Sequence, residues 1–216
     1  MKPERIKDLK DQKIYYSVGP LLYCPANNAS IAQSVIQEKF GTHFSLALCL
    51  EDTINDDFVE EAEQDLLRSL REIDTAGRER EFFLPKIFIR VRRPEQIPFL
   101  ISSLQESAGV VAGFIVPKFS PRNAREYIRR MTEVNETSRQ KIYLMPIYES
   151  IDMVDPRTRY EVLYSLKDML SPVEELVLNI RVGGNDLCHI FGFRRHPNES
   201  IHNIKPVSSL FTDIVT

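Results

Sequence analysis

Two acidic residues stand where a chain could build a metal site. Glu149 follows the apolar run Ile142 to Ile147, and Asp186 follows the run Leu176 to Val182 across the turn Gly183-Gly184-Asn185. If these runs are neighbouring parallel strands, about 4.8 Å apart, both carboxylates reach one hard cation. Mg²⁺ takes only one or two protein carboxylates and keeps its other positions for water and substrate oxygens. Such a site can chelate an α-keto or α-hydroxy acid and stabilise the enolate left when a neighbouring carbon–carbon bond breaks. The structural alternative is that each acid caps a helix or pairs with an exposed lysine.

Arg90 directly follows Ile87-Phe88-Ile89, so a cation ends an apolar strand. Its planar fork suits a substrate carboxylate or a developing enolate oxygen, while an ion pair with Glu51 would serve equally well to offset its burial. Glu51 and Asp52 follow the run Phe44 to Leu50; capping of the next helix accounts well for Asp52. Lys118, in Val116-Pro117-Lys118-Phe119, pairs with Glu51, meets a substrate anion, or lies on the surface. Arg92 and Arg93 read as solvated or anion-facing, because Pro94 closes the strand. None of His43, His189, His196 and His202 forms a metal-binding pair by spacing, and His189 reads as a helix-surface residue. Cys24, Cys49 and Cys188 match no zinc spacing and read as small core residues.

The elements that must position these groups are short apolar runs alternating with longer amphipathic segments. Six runs read as strands: Gly19 to Pro25, Phe44 to Leu50, Ile87 to Val91, Val110 to Pro117, Ile142 to Ile147 and Leu176 to Val182. Continuous rather than alternating apolar character marks strands covered on both faces, as in parallel sheets. Helices are expected at Ala29 to Lys39, Asp56 to Ile73, Gln96 to Glu106, Pro121 to Asn135 and Pro156 to Leu170. Asn55 or Asp56 is the expected cap of the second, and Gly77 its expected stop. Thr75 to Phe83 reads as a polar excursion, and Pro206 to Thr216 as a helix with Ser208 or Ser209 near its cap.

A βα repeat of this kind gives either an open doubly wound sheet or a (β/α)₈ barrel, and in both the polar residues at the C-terminal strand ends mark the ligand face. The turn Pro25-Ala-Asn-Asn-Ala-Ser30 lacks the glycines of a dinucleotide fingerprint, and no P-loop occurs. Formal net charge is -3, so no global positive field favours nucleic acid or anionic lipid. The charged N-terminus MKPERIKDLKDQK lacks an apolar signal core and no run approaches a membrane span, which points to the cytoplasm.

Taken in order, six segments resemble the citrate lyase β-subunit and HpcH/HpaI aldolase superfamily. They are Leu21-Leu-Tyr-Cys-Pro25, Ala47-Leu-Cys-Leu-Glu-Asp-Thr53, Ile89-Arg-Val91, Val116-Pro-Lys118, Pro146-Ile-Tyr-Glu-Ser150 and Gly184-Asn-Asp-Leu187 with Phe191-Gly192. Arg181 to Arg195 is similar to the barrel lyases encoded beside phosphoribosyltransferases in tellurite-resistance-linked clusters. The resemblance implies a TIM barrel, a carbon–carbon lyase acting on a keto or hydroxy acid, Mg²⁺ on Glu149 and Asp186, and Arg90 on the substrate carboxylate or enolate. Glu51 and Lys118 are expected to support that centre.

Departures from the family pattern narrow the expectation. Cys49 replaces an acid, Ser120 a glutamate after the P-K strand, and Arg92 the asparagine of R-V-N, which argues against CoA-thioester specificity. Asp52 occupies the place of the aldolase histidine, so that base is absent. Glu149 and Asp186 lie 186 − 149 = 37 positions apart, suggesting an elongated helix or added loop. Nothing after Pro206 reads as a seventh or eighth strand, so residues 1–216 are expected to form one α/β barrel domain of about six βα units without its last strands. Uncovered sheet edges would favour self-association into a homo-oligomer. A non-catalytic barrel that binds or scaffolds, and a phosphoenolpyruvate- or pyruvate-type enzyme on the same scaffold, are the rival expectations.

Overall fold

The computed structural model describes residues 13–216; the charged N-terminal segment through Gln12, with the signal-peptide question attached to it, lies outside the described residues. Each of the six expected runs contributes a strand, the sixth only over its last two residues: β1 (Leu21–Pro25), β2 (Ser45–Cys49), β3 (Ile87–Arg90), β4 (Val111–Val116), β5 (Tyr143–Tyr148) and β6 (Arg181–Val182). They pair in chain order, β1-β2-β3-β4-β5-β6, and every pairing is parallel. Sequential parallel order with no reversal is the topology of a barrel wall, not of a doubly wound sheet, whose strand order switches direction. The described chain is thus an incomplete TIM barrel, a curled six-stranded wall.

Side-chain alternation along the strands divides the apolar residues into two cores. Leu46, Leu48, Ile87, Ile89, Phe114, Val116 and Leu144 point outward and pack with the helices. Ala47, Phe88, Ile115, Met145, Ile147 and Leu178 point inward and fill the barrel interior. Both strand faces are covered, hence the near-continuous apolar runs.

The helices are α1 (Lys13–Tyr16), α2 (Ile31–Ile36), α3 (Val59–Glu79), α4 (Gln96–Leu104), α5 (Ala124–Thr137), α6 (Arg159–Leu170), α7 (Gly184–Ile190) and α8 (Lys205–Val215). From α2 to α6 each packs on the next around the outer face. Asn55 is the cap before α3, its side chain accepting from the Asp57 N–H at 3.1 Å across a 3₁₀ turn, Asp56–Phe58.

Gly77 does not stop α3. The helix runs on to Glu79, and the expected excursion after Thr75 begins as helix, because Ala76 still packs on the core and one glycine costs only about 1 kcal/mol. Ser208 and Ser209 are not caps either; α8 opens at Lys205 with Pro206 in its first turn, where a missing N–H costs nothing. The sixth run is mostly not strand. Ser171–Leu176 is 3₁₀, Val177 forms an isolated bridge to Leu144, and only Arg181–Val182 pair regularly.

The C-terminal helix is tied down by charge. Arg159, buried, donates to the carbonyls of Met153 at 2.8 Å and Val154 at 3.1 Å and pairs with Asp213 of α8 at 2.5 Å. Ile201 and Phe211 pack over Gly184, where a Cβ would lie 2.5 Å and 3.2 Å from them. Among the described residues no helix is long and apolar enough to cross a membrane.

Candidate active site at the C-terminal mouth

Parallel strands bring their C-terminal ends to one rim, and four expected site residues meet there directly. Arg90, at the end of β3, pairs through one terminal nitrogen with Glu51 at 2.7 Å, Asp52 at 2.9 Å and Glu149 at 3.6 Å. Lys118, after β4, donates to Glu51 Oε1 at 2.6 Å and stands 3.6 Å from Asp52. Asp52 is therefore part of this cluster and not the helix cap; that role belongs to Asn55. The Arg90–Glu51 ion pair weighed from the sequence is present, and it leaves the Arg90 Nε buried without a partner. A buried guanidinium N–H in that state calls for an acceptor.

Glu149 is the most enclosed acid of the group, its side chain only 4% exposed. Oε1 accepts from the Lys118 backbone N–H at 3.0 Å. That N–H is aimed by an unusual backbone: Lys118 has φ of 50°, a left-handed conformation uncommon for a residue with a side chain. On the other side, Gly183 makes room for the carboxylate, since a Cβ there would sit 1.7 Å from Glu149 Oε2. The two glycines of the Gly183-Gly184 turn thus do different work, one admitting Glu149 and one admitting α8.

Asp186 stands in the first turn of α7 just past that turn. Among the described residues it forms no hydrogen bond or ion pair with the cluster; its charge acts on Glu149 and Lys118. Burial, opposed by the Lys118 N–H and reinforced by the Asp186 charge, pushes the Glu149 carboxyl up to about 7. Burial likewise raises Glu51, helped by its neighbour Asp52. Burial also opposes ionisation of Asp52, but its contacts with Glu51, Arg90 and Lys118 outweigh it and hold that carboxyl below its ordinary value. Hydrogen bonding to Glu51 raises the Lys118 ammonium. Acids that resist ionisation beside one another form a cradle that a cation would stabilise.

Arg92 extends the sequence reading. It faces an anion, Asp56, as one of the two readings had it, but its guanidinium also donates to the carbonyls of Leu50 at 3.2 Å, Glu51 at 2.9 Å and Ile54 at 2.5 Å. It clamps the loop that carries Glu51 and Asp52. Gln96 completes the support, accepting from the Arg92 N–H at 2.6 Å and donating to buried Glu63 at 2.7 Å. Nothing around Arg92 in the sequence hints at this, because its partners lie about forty residues away. His189 is exposed on α7, as expected, and the three cysteines are buried and free.

Among the described residues no group of three or more His, Cys, Asp or Glu side chains is arranged to hold a metal ion. A cation held here would rest on two carboxylates. The family model of the C-C bond lyases of the TIM-barrel fold matches residues 12–216. The chain belongs to that family.

No curated protein matches this sequence significantly. Its fold is similar to the citrate lyase β-subunit of M. tuberculosis complexed with oxaloacetate and magnesium, with a TM-score of 0.55 and 11% identity over 94% of this chain and 74% of that one. It is also similar to the CitE protein of Mycobacterium tuberculosis in complex with magnesium, acetoacetate and coenzyme A, with a TM-score of 0.54 and 12% identity over 92% of this chain and 61% of that one. At such identities the likeness extends to the fold of the six-stranded wall.

Proposed function

We propose that the chain is a Mg²⁺-dependent carbon–carbon lyase in which Glu149 and Asp186 hold the metal and Arg90 receives the substrate's carboxylate or enolate oxygen. The observation that carries this reading is the Glu149 cradle: a carboxylate buried against Gly183, hydrogen-bonded on one oxygen only, with its pKa raised beside a second acid. The residues fit a hard cation that needs few protein ligands. Bound there, Mg²⁺ would polarise a keto or hydroxy acid and favour negative charge on its oxygens.

The protein's own groups supply the rest. Arg90, fixed by Glu51 and Asp52, offers its free Nε–H to the oxygen on which charge builds when the bond breaks. Lys118 and Glu51 hold each other in place and keep the guanidinium oriented. Arg92 holds the Glu51–Asp52 loop. No side chain is assigned as general base. Oxaloacetate and acetoacetate bound to the M. tuberculosis structures favour a small keto acid as substrate class. Buried free cysteines accord with a cytosolic setting.

Consumption of oxaloacetate with production of pyruvate, followed with and without Mg²⁺, tests the reading. The expected result is a Mg²⁺-dependent rate above that of the metal alone, lost in Arg90→Gln. A rate equal to the metal alone in the wild type rejects lyase chemistry at this site.

A further inference from the structure

A second cationic group faces the same interior and, among the described residues, pairs with no acid. Arg181 on β6 is in register with Ile147, and Tyr23 on β1 with Ala47. Ile147 and Ala47 both belong to the inner core, and in-register residues of parallel strands share a face, so Arg181 and Tyr23 point into the barrel. They come from the first and last strands of the wall, and the charges of Arg181 and Arg90 both act on the Tyr23 phenol, opposing the burial that raises it. Three polar groups from β1, β3 and β6 therefore converge across the interior.

The two arginines differ in one respect. Arg90 is surrounded by Glu51, Asp52 and Glu149, whereas Arg181 forms no ion pair among the described residues. Its neighbours along the wall are apolar, Ile147 and Leu178 among them. A half-buried guanidinium in such surroundings is stabilised by an oxyanion, to which it offers a planar fork, and a phenol is a fitting second donor.

We propose that Arg181 and Tyr23 form a second anion-binding subsite, so that the substrate is a dianion whose far carboxylate or phosphate is held there while its keto acid end lies at Arg90 and Glu149. The identity of the near end rests on the lyase reading; the subsite itself does not. Specificity would follow from distance, since only an acid long enough to reach from β3 to the β1–β6 pair engages both ends. Phenylalanine at position 23 would keep the ring and lose one donor; glutamine at 181 would remove the charge.

Calorimetry on the full chain in two arms tests this. With Mg²⁺, oxaloacetate is expected to bind more tightly than pyruvate, and Arg181→Gln to weaken oxaloacetate about tenfold more than pyruvate, the size of one charge-assisted contact. Tyr23→Phe should act in the same direction more weakly. In EDTA, succinate and inorganic phosphate serve as probes of the subsite alone, their ratio distinguishing carboxylate from phosphate. Weak binding of either that disappears in Arg181→Gln supports the subsite even if no keto acid binds with Mg²⁺, an outcome that would reject only the lyase reading. Equal weakening of oxaloacetate and pyruvate in Arg181→Gln, or no binding of succinate or phosphate in EDTA, overturns the proposal, and thermal unfolding of the variant identifies a loss that is merely structural.

Discussion

Replacing Glu149 by glutamine should stabilise the metal-free protein, increasingly as pH rises from 4.5 towards 7 and fully above that. The fold raises this carboxyl from an ordinary 4.5 to about 7, so the folded state holds the proton more tightly than the unfolded chain. Its contribution is neutral below 4.5, turns unfavourable as pH rises between 4.5 and 7, and is fully unfavourable above 7. At about 1.4 kcal/mol per factor of ten, the full penalty is about 3 kcal/mol. Glutamine mimics the protonated acid: it keeps the oxygen that accepts from the Lys118 N–H and removes the charge buried beside Asp186. Thermal or urea unfolding in EDTA at pH 4.5 and pH 8 would measure this. The variant should match the wild type at the lower pH and exceed it at pH 8, by about 6–12 °C in Tm for a chain of this size. Equal stability at pH 8, or a less stable variant, would refute the claim that Glu149 is a strained carboxylate held ready for a cation.

Three other outcomes follow from the same geometry. Because Glu149 must lose its proton to bind a cation, Mg²⁺ affinity should fall about tenfold for each pH unit below about 7, measured by calorimetry in buffers of matched ionic strength. Gly183→Ala drives a Cβ into Glu149 Oε2 and should cut Mg²⁺ affinity at least about tenfold, whereas Gly184→Ala meets Ile201 and Phe211 and should lower the unfolding temperature with less effect on the metal. Arg92→Ala frees three carbonyls of the loop holding Glu51 and Asp52 and should cost about 2 kcal/mol in denaturant unfolding, together with a loss of keto acid affinity.

The wall of strands was legible because its chemistry is local: a strand covered on both faces is a continuous apolar run, and such runs mark β1 to β5 to within about two residues. Glu51, Arg90, Lys118 and Glu149 were legible for a related reason, as charged residues at the ends of apolar strands need partners, and the parallel topology supplies them at one rim. What sequence did not yield depends on distant neighbours. The left-handed turn at Lys118 leaves no glycine as a sign, the Arg92 clamp closes on carbonyls in the loop after β2, and the Arg159–Asp213 tie joins positions 54 apart. The sixth run misled because apolar character marks a buried stretch but not its pairing: Val177 makes only an isolated bridge to Leu144, and regular pairing begins at Arg181. Gly77 misled because helix packing outweighs the small cost of one glycine.

Calorimetric titration of Mg²⁺ into the wild type and Asp186→Ala, each with and without oxaloacetate, tests the central claim most directly. Metal binding that strengthens with oxaloacetate and disappears in the variant is the predicted result. Mg²⁺ affinity that is unchanged by Asp186→Ala, or absent from the wild type with and without the keto acid, would contradict it.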